Sequence, residues 1–232
     1  MSSSRMTAIS VGALFLISYT GFIIGTALVA PSLDPAMDLA AIQSNEQQLV
    51  AGALLLFVNM AAIIGIGALL FPMLKAHGEG IALWYVGFRI LEAAAYAVAI
   101  VSTLSLVAVS GASAASATAS ANAEALRGLA LAQNDGARIM ATVAFVVAAP
   151  VLYVLLYRSK LVPRFISVWG LVAVAMLVLA NVLGIDVTAG FQPAALLYVP
   201  IALNELFLAG WLIIRGFGEA ATRRAVPQPA VA

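Results

Sequence analysis

The sequence predicts an all-α polytopic membrane protein, a six-helix transmembrane bundle. Three observations carry this. Hydrophobic residues make up 64% of the 232 residues and charged residues only 9%, against about 45–50% and about 25% in a soluble domain. Six stretches reach the roughly 20 apolar residues needed to cross a hydrocarbon core of about 30 Å. The period-2 alternation of an outer-membrane barrel is absent from the sequence. No soluble core of this length hides so much apolar surface.

The first predicted span covers residues 7–30 and stops at Pro31. Its apolar stretch exceeds a signal-peptide core, so it reads as a retained helix, although Leu28-Val29-Ala30 resembles a cleavage site. Gly21-xxx-Gly25 permits close helix contact, which favours internal packing over a dimer interface. The second and third spans, residues 48–74 and 80–109, are joined by a tight turn containing Gly78. The fourth and fifth, 134–157 and 165–185, are joined by a turn ending at Pro163. Each pair is expected to form an antiparallel hairpin. The sixth span covers residues 194–215, and Pro200 within it marks a packed kink or a break of the kind that lines transporter sites.

Between the third and fourth spans, residues 110–122 are nearly all Ala and Ser and read as a mobile loop or a frayed helix end. Residues 123–133 place Leu126, Leu129 and Ala130 at helical spacing, either in the interface or as an outward extension of the fourth span. Residues 1–217 are expected to form one domain, followed by a disordered Pro/Ala-rich tail at 218–232. Both hairpins carry an aromatic, a basic turn and then Trp: Phe71/Lys75/Trp84 and Tyr157/Lys160/Trp169. Anchoring at lipid headgroups explains this, as would a parallel duplication.

Basic residues set the orientation. Arg5, Lys75, Arg158, Lys160, Arg164, Arg215, Arg223 and Arg224 fall on one side, and only Arg127 lies in the opposite loops 31–47, 110–133 and 186–193. Both termini are therefore expected in the cytoplasm. Nine Arg against two Lys, with heavy Ala use, suggests a GC-rich bacterial genome and hence a bacterial cytoplasmic membrane.

Ionisable residues inside a span cost about 2.5–3.5 kcal/mol on insertion scales, and persist when paired, hydrated or used. The third span carries Arg89 and Glu92 three residues apart on one face, with Tyr85 and Tyr96. The sixth carries Asn204 and Glu205, with Tyr198 on the face of Glu205. The second carries Asn59, and the first Ser18, Tyr19 and Thr20. At 1.5 Å per residue, Arg89, Glu205 and Asn59 all lie about 14–16 Å from the membrane end of their spans. The simplest assembly sets Arg89 between Glu92 and Glu205, with Asn59, Asn204, Tyr19 and Tyr198 orienting. A second cluster nearer the outer face holds Asp135, Arg138 and Asn181, with Asp135 suited to the positive end of a helix. Together the two clusters carry two arginines against Glu92, Glu205 and Asp135. The excess carboxylate points to a third partner or to a glutamate that holds a proton.

Other chemistry is excluded. The sequence has no Cys and a single His, His77. That rules out a disulfide scaffold, a bis-His haem and a multi-His zinc site within one chain. His77 and Ser159 lie in no nucleophile elbow, no aspartate pair sits in mid-membrane, and no phosphate-binding glycine loop occurs. Net charge +1 argues against nucleic acid. The basic stretch Arg158–Arg164 reads as a positive-inside anchor, or as a contact for anionic lipid or phosphate.

Three blocks carry a resemblance: Gly87-Phe-Arg-Ile-Leu-Glu-Ala93, Arg158-Ser-Lys-Leu-Val-Pro-Arg-Phe-Ile-Ser-Val-Trp-Gly170 and Asn204-Glu-Leu-Phe-Leu-Ala-Gly-Trp-Leu-Ile-Ile-Arg-Gly-Phe217. The chain resembles the bacterial membrane family known as domain of unknown function 4386, from the first span to Phe217, departing from it in the Ala/Ser loop. The resemblance implies six spans in the cytoplasmic membrane and carries over no activity, cofactor or functional residue. The residues leave two readings. One is binding or translocation of a small solute or cation at the mid-membrane cluster. The other is a non-catalytic scaffold or accessory subunit whose ion pairs only clamp helices. An enzyme acting on lipid is a third reading, against which the lack of Cys and the single His argue. No cofactor is expected, and the bilayer is the one partner the sequence names.

Overall fold

The structure, a computed structural model, describes residues 3–112, 117–182 and 193–218. All regular elements among them are helical: α1 (Ser3–Val29), α2 (Leu39–Ser44), α3 (Glu46–Lys75), α4 (Glu79–Ala112), α5 (Ala117–Ser159), α6 (Arg164–Val182) and α7 (Val199–Ile214), with 3-10 turns at Ala30–Leu33 and Pro193–Tyr198. Six helices are long and apolar enough to cross a membrane. Their outward faces are apolar, as at Leu54, Leu83, Val101 and Ile139, each at least 60% exposed, while Arg89, Glu92, Asn204 and Glu205 are buried. A surface this apolar over an interior that holds charge belongs in lipid.

Several boundaries differ from the sequence reading. α2 was not foreseen; Asp38 caps it, accepting from Ala41 N at 2.7 Å. α5 begins at Ala117 rather than near residue 134. Residues 123–133 therefore extend the fourth span and do not form a separate interfacial segment. Ala is the strongest helix former, so an Ala-rich stretch continues the helix where hydropathy alone signals an end. Asp135 thus lies in the interior of α5, away from its N-terminus. Pro200 kinks nothing: it sits in the first turn of α7, where proline's missing N–H costs little, and a 3-10 turn precedes it. Residues 113–116, the loop 183–192 with Asp186, and the tail expected beyond Gly218 lie outside the described residues.

The chain divides into two compact units. Unit 1 comprises Met1–Leu16, Ala62–Ile90 and Ala144–Ala232. Its core holds Phe15, Ile66, Leu74, Tyr85, Leu152, Tyr153, Ile166, Leu177 and Leu208. Gly12 lets α1 approach α7: a Cβ there would lie 2.7 Å from the Ala209 carbonyl oxygen. Arg5 donates to the carbonyls of Ile213 at 2.6 Å and Ile214 at 3.1 Å, closing the C-terminal end of α7. Short turns join α3 to α4, where Gly78 has φ 147°, and α5 to α6.

Unit 2 comprises Ile17–Ala61 and Leu91–Val143. Here Gly21 and Gly25 serve internal packing, as their spacing suggests. A Cβ on Gly21 would meet the Leu55 carbonyl oxygen at 2.7 Å, and one on Gly25 the Gly52 carbonyl oxygen at 3.0 Å. Arg127 joins α5 to the segment before α2, donating to the Pro35 carbonyl at 2.7 Å and pairing with Glu124 at 3.3 Å.

Candidate functional site

Helix periodicity decides which polar residues turn inward. On α4, Ala82, Tyr85, Arg89 and Glu92, and further along Ala99, Thr103, Leu106 and Ser110, are buried at intervals of three and four. Arg89 and Glu92 fall within the first of these runs. On α7 the buried set is Ile201, Asn204, Glu205, Leu208, Ala209 and Leu212, so both polar residues lie within the apolar stripe.

Unit 1 holds a buried polar site of its own. Asn204 Nδ2 donates to the Ile166 carbonyl at 2.9 Å, which ties α7 to α6. The next residue on α6, Ser167, is fully buried. One turn further, Gly170 receives the ring of Tyr153 from α5; a Cβ on Gly170 would stand 2.2–2.4 Å from three ring atoms. Tyr153 is fully buried, with Glu205, Tyr85 and Arg89 as its electrostatic neighbours. Arg89 is anchored by its stem beside Gly67, whose Cβ would be 3.6 Å away, and by the Phe145 ring, 5.8 Å from the guanidinium. Among the described residues, Tyr153 Oη, Asn204 Oδ1 and Ser167 Oγ are buried with no hydrogen-bond partner. Such atoms are costly to bury and are rare in native interiors. Of these three oxygens with unused capacity, Tyr153 Oη belongs to the side chain that neighbours Glu205 and Arg89, and Asn204 directly precedes Glu205 on α7.

The other residues of the expected mid-membrane layer are placed as follows. Tyr198 is half-buried against the unit 1 core at the start of α7. Asn59, Glu92 and Tyr19 belong to unit 2. Asn59 is buried and accepts from Ser18 Oγ at 2.6 Å; Glu92 is buried and Tyr19 half-buried. Asp135 is exposed and Arg138 half-buried, and no ion pair joins them among the described residues. Asn181, in unit 1, spends its amide on the Leu177 carbonyl of its own helix at 2.8 Å. The inward residue is Asn134, which donates to the Ala99 carbonyl at 3.0 Å and Thr103 Oγ1 at 3.1 Å. It lies on the α5 seam with Ala130, Ala137 and Ala141, and Asp135 falls off it. His77 Nδ1 faces the Met73 carbonyl within its own turn at 3.3 Å, and Ser159 caps the end of α5. Neither is in a catalytic arrangement.

The family model of the domain of unknown function DUF4386 matches residues 10–216. The chain belongs to this family. No curated protein and no solved structure matches it. The stretch matched to DUF4386 contains every residue of the unit 1 site, from Tyr85 to Glu205. The family description assigns no chemistry, so the reading of this DUF4386 member rests on its own geometry.

Proposed function

We propose that this protein binds a small solute or cation within the membrane, at the unit 1 site formed by Arg89, Tyr153, Ser167, Asn204 and Glu205. One observation carries the reading: the buried oxygens of Tyr153, Ser167 and Asn204 have no partner among the described residues, and Tyr153 is an electrostatic neighbour of the buried Glu205 carboxylate. Oxygen donors around one carboxylate suit a hard monovalent cation or an ammonium-bearing solute. Tyr198, half-buried at the start of α7 in the same unit, belongs to this proposal as an orienting group. A second reading, the structural clamp, is favoured by the Asn204–Ile166 bond, which links two helices without any ligand.

We also place the protein in the bacterial cytoplasmic membrane with both termini in the cytoplasm. Support comes from the eight basic residues on one side. Arg127, the exception, is engaged locally by Glu124 and backbone carbonyls.

The test is thermal unfolding of the purified protein in detergent with lithium, sodium, potassium or choline chloride at constant ionic strength. A saturable rise in Tm with at least one cation is expected, since ligand at 100 times its Kd adds about 2.7 kcal/mol. Ser167→Ala and Glu205→Gln should remove the rise. Identical Tm in all four salts would favour the clamp.

A further inference from the structure

Beyond the buried site, unit 1 carries an open groove of about 460 Å³ where α5 turns into α6 and α7 ends. Lys160, Arg164 and Arg215 line it, all exposed, and none of its described lining residues is acidic. The turn joins two membrane-length helices, so the groove lies at a membrane surface. Gly218 N donates to the Leu161 carbonyl at 2.9 Å, and a Cβ on Gly218 would sit 2.8 Å from the Lys160 carbonyl oxygen. The exit of α7 is thereby fastened to the turn, which holds Arg215 together with the other two cations. Arg164 is further steadied by the Tyr157 ring, 5.0 Å from its guanidinium.

Two details separate this groove from an ordinary basic anchor. Lys160 has φ 57° at the C-terminus of α5, a left-handed position that normally takes Gly or Asn. Here the position carries a lysine, whose charge faces the groove's other cations. The second detail is an aromatic strip running from the groove along the membrane helices. Trp211, in the groove wall, lies 6.4 Å from both Phe165 and Phe207, and Phe207 lies 5.8 Å from Trp169. Phe165 is 54% exposed and Phe207 42%.

We propose that this groove binds an anionic phospholipid. Lys160, Arg164 and Arg215 hold the phosphate, and an acyl chain lies along Trp211, Phe207 and Phe165. A soluble phosphate would use the cations and leave the strip idle, so lipid is the ligand that uses both halves.

The experiment takes full-length protein in neutral detergent and measures binding of phosphatidylglycerol, phosphatidylcholine, sn-glycerol 1-phosphate and inorganic phosphate by native mass spectrometry and Tm. Phosphatidylglycerol should bind saturably and resist millimolar concentrations of the two soluble phosphates. Its affinity should fall about fivefold for each of Lys160→Asn, Arg164→Gln and Arg215→Gln, and again for Phe207→Ala. Lys160→Asn suits the left-handed backbone, so its Tm without lipid should hold or rise, which separates lost binding from unfolding. Equal binding of phosphatidylcholine, full displacement by either soluble phosphate, or unchanged affinity in the cation variants would overturn the assignment.

Discussion

Arg89→Ala is expected to lower stability by about 3–5 kcal/mol, the usual cost of leaving a buried charge without its counter-charge. Arg89 and Glu205 are both buried and both act on the fully buried Tyr153. Removing the guanidinium leaves the Glu205 carboxylate in a low-dielectric interior, where it must take up a proton or draw in water. The loss should appear as a large drop in Tm in detergent. Glu205→Gln in the same chain should recover much of it, because the amide needs no counter-charge. Additive effects of the two substitutions, with no coupling, would sink the pairing.

The second large effect is expected at Gly170. Gly→Ala in a helix interior normally stabilises by about 1 kcal/mol. Here the sign should reverse. The added Cβ would overlap three atoms of the Tyr153 ring, which is fully buried. Overpacking of this kind costs about 1–3 kcal/mol, and it would also displace the phenol from Glu205. Gly170→Ala should therefore lower Tm and weaken cation stabilisation together. In a Tyr153→Leu background the same substitution should be far milder. A Gly170→Ala protein as stable as the parent would show that the ring does not rest on α6.

Much of this is legible in the sequence. Arg89, Glu92, Asn204 and Glu205 stood out because ionisable and amide groups inside a span are expensive, and the structure buries all four. Tyr153 and Ser167 did not stand out. A lone tyrosine in an apolar run reads as core, and its role depends on Gly170, a glycine on another helix that no spacing rule links to it. Asp135 differs from expectation for a related reason. The Ala/Ser stretch hides a helix start, and without the start the seam cannot be phased. Phased from Ala130 and Ala137, the inward residue is Asn134. Pro200 shows the same limit, because a proline reads as a kink or as a first turn according to where its helix begins.

The central claim is that the unit 1 polar site receives a ligand from outside the protein. The chain has no native cysteine, so Ser167→Cys, a nearly isosteric change at a fully buried position, reports directly on access. Intact cells and inside-out vesicles would be treated with a membrane-impermeant maleimide, with Ser44→Cys, at an exposed position, as the control. The account predicts that Ser167→Cys is labelled from at least one side, slowly, and that the cation which raises Tm slows it further. Complete protection from both sides, with the control labelled, would contradict a ligand site and leave Asn204, Glu205 and Arg89 as a clamp between helices.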